Sequence, residues 1–260
     1  MRTHYWKTDM YRCFLSHQML IAVLGVCAVH LLIPQQFSEP RISVFRSFNR
    51  AWGSNAMVMV YIFTTYGFGQ SFSDDLEQGY NRYAIIRGNP WYYSISKCVC
   101  IFLSSIIAMS AGRMLFIFLM RLRYPWEASI GEIGLLIENG CLTMLLEKGH
   151  YITYFLLHGV WQGFWAAVLA LLSALVSLHT VNRLLVAAFP AMAHHLLRRL
   201  GILLGGGEYY LDPDHVFLLS YNVRNNEFQS MVFGAGAALL LSFFISFIIC
   251  RQYVRRVENG

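Results

Sequence analysis

The sequence predicts an all-α membrane protein with six transmembrane helices. Three observations carry that expectation. Of 260 residues, 57% are hydrophobic and only 13% are charged, about half the ~25% charged content of ordinary soluble domains. So few charges cannot coat a water-facing exterior. Apolar runs near the ~20 residues that cross ~30 Å of hydrocarbon recur along the chain, separated by polar connectors. The run over 151–178 holds 28 residues without an Asp, Glu, Lys or Arg. This composition excludes a disordered chain, a secreted disulfide scaffold and a typical cytosolic enzyme.

Each element follows from local pattern. Residues 1–12 are polar, with Arg2, Lys7 and Arg12. The first span is expected over 13–33, stopped by Pro34, which cannot continue a helix ladder. A polar connector with Pro40, Arg41, Arg46 and Arg50 leads to a second span over 56–72, rich in aromatic and small residues. The third span is read over 98–120, with Arg113 inside it. In 121–150 leucines and isoleucines recur at roughly helical spacing among acids and glycines, the pattern of short helices lying at the membrane surface. The fourth span is 151–178. The fifth, 180–200, is more polar, with Arg183 near its start, Pro190 in its middle and His194-His195 after it. Residues 201–227 carry turn chemistry in Gly205-Gly206-Gly207, Asp212-Pro213-Asp214 and Asn225-Asn226. The sixth span is 231–250, followed by Arg251, Arg255 and Arg256. The whole chain reads as one transmembrane domain.

The net charge of +6 is assigned to lipid headgroups and membrane orientation. No Lys/Arg block with interleaved aromatics points to nucleic acid. Six spans put both termini on one side, but lysines and arginines divide ten to nine between the two sides, with Arg113 between them. The positive-inside rule therefore does not orient the chain. The six cysteines, Cys13, Cys27, Cys98, Cys100, Cys141 and Cys250, fit no redox or zinc spacing and read as free buried thiols. There is no GxxxxGK[ST] loop to hold ATP, no HExxH, no zinc cluster and no GxSxG elbow. No catalytic residue and no metal ligand is assigned, and any energy source is expected on another chain.

Residues 74–97 are the informative stretch. Acids come first (Asp74, Asp75, Glu77), then Gly79, then cations (Arg82, Arg87, Lys97). That order suits a helix macrodipole, and Gly88 followed by Pro90 reads as a helix stop. The expectation is a short polarised helix at the membrane face, over 73–90.

The order of a span, an acidic turn, Glu77-x-Gly79-x-x-Arg82, Arg87-Gly88-Asn89-Pro90 and Ser94-x-x-Lys97 leading into a span resembles the membrane permease subunit of ABC-2 type exporters. The likeness extends over the whole chain in span count, length and spacing. It departs in the short run Tyr83-Ala84-Ile85-Ile86 and in the polarity of 180–200. The resemblance implies that 73–90 forms a cytoplasmic coupling helix, with Asp75, Glu77, Gly79, Arg82 and Arg87 meeting an ABC ATPase subunit. It implies two ATPase copies, a second permease chain (identical or related), and ATP with magnesium bound by the partner rather than by this chain. It further implies both termini in the cytoplasm of a bacterium and a multi-pass position in its plasma membrane. The second and fifth spans would line the subunit interface, so Tyr61, Phe63 and Tyr66 become candidates for the translocation path.

Arg113 is a further path candidate, because a mid-span charge costs ~2.5–3.5 kcal/mol. It either faces the path, pairs with an acid such as Glu138, or snorkels outward. His158 reads as a helix–helix hydrogen-bond partner. His194-His195 with Arg198-Arg199 reads as a polar break or an interfacial helix. Gly234-Ala235-Gly236-Ala237-Ala238 permits close packing within the chain. The cargo expected is amphipathic or small: a drug, an antimicrobial peptide or a lipid-linked molecule. Two other classes compete: a non-transporting membrane sensor or immunity protein that binds its ligand without an ATPase, and an intramembrane enzyme.

Overall fold

A computed structural model describes residues 5–33, 42–52, 57–79, 89–127, 133–134, 140–205, 211–217 and 226–258. The regular elements among them are helices: α1 (Tyr5–Phe14), α2 (His17–Leu32), α3 (Val44–Trp52), α4 (Val58–Tyr66), α5 (Ser71–Glu77), α6 (Pro90–Arg123), α7 (Thr143–Glu147), α8 (Tyr151–Ser177), α9 (Arg183–Leu204), α10 (Pro213–Val216) and α11 (Glu227–Glu258).

Side-chain caps set several starts. Ser16 accepts from the Met19 amide, Asn89 from Trp91, and Asn182 from Leu184 and Leu185. Each side chain supplies an acceptor that the first helical turn lacks. Pro90 occupies the first turn of α6, where a missing N–H costs nothing. It opens a helix, which corrects the expectation that it ends one.

Among the described residues three helices, α6, α8 and α11, are long and apolar enough to cross a membrane by themselves, and α1 with α2 makes a fourth if that pair, bent by 46°, is one span. The expected second span is shorter than predicted. α4 has nine residues, about 13 Å of helix, and a turn over 67–70 separates it from α5. The expected fifth span is one continuous helix, α9, with Pro190 inside it.

Contacts at the helix ends give the arrangement. Arg183 at the start of α9 reaches Glu77 of α5. His179, just past α8, meets Gln252 of α11, and Tyr93 near the start of α6 meets Tyr253. At the opposite end Phe45 of α3 packs on Trp126 and Tyr151, and the Leu142 amide donates to Glu227. Helices α2, α4, α6, α8, α9 and α11 therefore alternate in direction between a charged end and a far end. The core is the α6–α8 seam. Added Cβ atoms on Gly159 and Gly163 would lie 3.1 and 2.8 Å from the backbones of Ser110 and Ile106. Gly112 of α6 meets α2 as closely, at the Val23 carbonyl and the Val26 side chain. Of the glycine-alanine run in α11, Gly234 abuts Trp161 and Ala238 is buried, while Gly236 opens on empty space.

Candidate functional site

At the charged end, Asp75 of α5 is fully buried. Its Oδ2 lies 2.5 Å from Lys97 Nζ of α6, and its Oδ1 2.8 Å from Arg12 Nη2 of α1. The Tyr93 hydroxyl also donates to it. Lys97, equally buried, donates to the Ser71 carbonyl at 3.1 Å and sits 5.3–5.5 Å from the ring centroids of Phe68, Phe72 and Tyr93. Next to Lys97 in sequence, the Ser96 hydroxyl donates to the buried Asp9 at 2.6 Å. Two acids and two cations thus balance inside one cluster. Burial pushes the Asp75 carboxyl up, but Lys97, Arg12 and Tyr93 together pull it below the usual carboxylate range.

This arrangement ties α1, α5 and α6 together. Removing one partner of such a buried pair costs about 3–5 kcal/mol, because the other charge is stranded. Beyond the buried base, the tip of α5 is exposed. Glu77 accepts from Arg183 at 2.6 Å, with both side chains 56% exposed, and Asp74 lies 3.2 Å from the same guanidinium. Gly79 follows at φ +66°, a left-handed conformation that glycine adopts without strain. The predicted helix over 73–90 therefore ends at Glu77. Asp75 has no surface to offer a partner, which corrects its expected role as a docking contact; Glu77 and Gly79 lie at the tip. Arg82 and Arg87 lie outside the described residues.

The expected path residues are packed inside the subunit. Arg113 of α6 is 0% exposed and does not snorkel. Its guanidinium donates to His158 Nδ1 at 2.8 Å, to the His158 carbonyl at 3.3 Å and to Gln162 Oε1, all on α8, and lies 5.2 Å from the Phe48 ring centroid. His158 is the helix–helix partner the sequence implied. The suggested partner Glu138 lies outside the described residues. Tyr61 is buried on the His194 ring, 4.9 Å away. Phe63 fills the space beside Gly25, and Tyr66 is half-buried.

A second polar cluster joins α9 to α10. His194 Nδ1 accepts from Trp165, and its Nε2 lies 3.3 Å from Asp214. Arg198 lies 3.1 Å from Asp214 and 3.7 Å from Asp212, which also meets His215 at 3.1 Å. Of the two readings of His194-His195, a polar break or an interfacial helix, the break is absent: the helix is continuous, with His194 inward and His195 outward. Among the described residues no group of three or more His, Cys, Asp or Glu is arranged for a metal, and all six cysteines are free and buried.

Sequence reasoning did not find Arg12, Tyr93 and Asp9 as members of the charged cluster, or Gln162 as a partner of Arg113. One signal was present: Lys97 stands immediately before an apolar run, where a cation needs an acid or a route to water.

Helices of this length and apolarity, with Leu240, Phe243, Phe244 and Phe247 of α11 all at least 50% exposed, are those of a helical membrane protein. No protein-family model, curated protein or solved structure matches the chain.

Proposed function

We propose that the chain is the membrane-spanning permease subunit of an ATP-driven exporter of the ABC-2 type. In this reading the chain crosses the membrane six times, its second crossing broken, since α4 alone covers about 13 Å of the ~30 Å hydrocarbon. The charged end is cytoplasmic and carries both termini, in a bacterial plasma membrane. Two ATPase subunits grip the α5 tip and the segment after it, and two permease chains form the path for an amphipathic cargo. The observation that carries the reading is the construction of that end: an exposed acidic tip on a buried base that holds three helices. A push on Glu77 moves α1 and α6 with it, and this is what a coupling element requires. Nucleotide on the partner then biases a two-state rocking of the helices.

The outer face of α9 favours a second permease chain. Met192, His195, Leu196, Arg199 and Leu200 are exposed side by side. His195 and Arg199 place polar groups on an otherwise apolar face, which suits packing against a partner helix. Neither reading assigns this chain a catalytic role.

The test is purification of the tagged chain from its own membranes, assayed for vanadate-sensitive ATP hydrolysis and for an ATPase subunit in equal amount. Glu77→Lys reverses the charge of the acid that the ATPase is proposed to grip. The expected result is a loss of at least about tenfold in recovered ATPase, since like-charge contacts cost several kcal/mol. Stability should hardly change, because the exposed Glu77–Arg183 pair is worth at most ~1 kcal/mol. A preparation with no ATPase, active in binding its ligand, supports the sensor class instead.

A further inference from the structure

Between α6 and α11 runs an apolar groove of about 380 Å³, walled by Trp91, Ile95 and Phe102 on one side and Leu239, Phe243 and Phe247 on the other, and floored by α8. Residues 239 to 250 of its α11 wall cover about 16 Å of helix at 1.5 Å per residue, the hydrocarbon depth of one leaflet, about half of ~30 Å. The groove's lining is apolar along the whole length except for Ser242 and Ser246, which suits a hydrocarbon chain.

One end of the groove is marked. Trp91, 38% exposed at the first turn of α6, meets the Phe247 ring at 6.4 Å. Tryptophan favours the membrane–water boundary. One helical turn past Phe247 lies Arg251, exposed and with no ion-pair partner among the described residues; Arg255 is exposed one turn further. The apolar slot therefore opens at a boundary tryptophan beside a cation.

We infer that this groove binds one acyl chain of an anionic phospholipid from the leaflet at the charged end, with its phosphate on Arg251. The inference rests on α6 and α11 crossing the membrane and not on the exporter reading. A zwitterionic lipid offers the same chain but no net charge, and one interfacial cation is worth ~1 kcal/mol towards an anionic lipid, or about fivefold in affinity.

The full-length chain is reconstituted in phosphatidylcholine vesicles containing either phosphatidylglycerol or phosphatidylcholine brominated on the acyl chain. Trp91 emission is isolated as the difference between the wild type and Trp91→Phe. The expected result is about fivefold tighter quenching by the brominated phosphatidylglycerol, reduced to the phosphatidylcholine level by Arg251→Gln. Ser242→Leu, on the groove wall, should weaken quenching by both lipids. Equal quenching by both lipids in the wild type overturns the proposal, since it reports only bulk lipid. Absence of quenching by either, with disulfide-linked dimers from Phe247→Cys, also overturns it and assigns the groove to a second copy. No readout involves ATP, so this proposal and the exporter reading fail separately.

Discussion

Asp75 shows how much one buried carboxylate can hold. Asp75→Asn should lower the unfolding free energy in detergent by about 3–5 kcal/mol, as should Lys97→Met, because each strands its partner. The double change Asp75→Leu/Lys97→Leu should recover much of that loss, since Arg12 is one-third exposed and can turn to water. The pH dependence has a definite sign. The Asp75 carboxyl titrates below its unfolded value of ~3.9, so its contribution is complete above that value and is lost as pH falls through the lowered one. Asp214 behaves oppositely. Burial, ahead of Arg198, leaves its carboxyl raised, so stability rises as pH drops through its folded value, and Asp214→Asn should abolish that rise in a thermal melt. Arg113→Gln should cost about 1–3 kcal/mol by leaving buried polar groups of α8 unmatched. A mid-span arginine was visible in the sequence as a problem needing an answer. Its answer in Gln162 and His158 was not, because partners 45 and 49 residues away depend on how two helices face each other.

Helix seams are where local sequence and packing can be separated. Gly163→Leu drives a side chain into the Ile106 backbone and should abolish folding to a monodisperse particle in size-exclusion chromatography. Gly236→Leu, on open space, should elute as the wild type. Cys98 of α6 and Cys250 of α11 are buried free thiols that line the same seam. Mild oxidation should join them into an intrachain disulfide that Cys98→Ser prevents, read as a gel-mobility shift. The fourth span was legible almost to the residue, 151–178 against Tyr151–Ser177, because an uncharged run leaves its ends as the only polar marks. The sixth and third are longer as helices, Glu227–Glu258 and Pro90–Arg123, because capped polar turns extend a helix past its apolar stretch. The second was misjudged. Its apolar composition continues through Gly67 and Gly69, but the backbone turns there, and composition does not register a turn.

The molecule as a whole is asymmetric along its long axis. One end binds its helices through a charge-balanced cluster and presents Glu77, Gln78 and Gly79 outward; the other is closed by aromatic packing of α3 on Phe155 and Tyr151. The alternation of six helices places α1 and the end of α11 at the charged end, so the sidedness of that end decides the exporter reading. Native cysteines are all buried, which leaves a low background for a single reporter. Gln78→Cys is the direct measurement, since Gln78 is exposed and caps α5. A maleimide that cannot cross the bilayer should label it in inside-out vesicles and leave it unmodified in intact cells. Labelling from outside intact cells would put the acidic tip beyond the reach of any cytoplasmic ATPase and contradict the account.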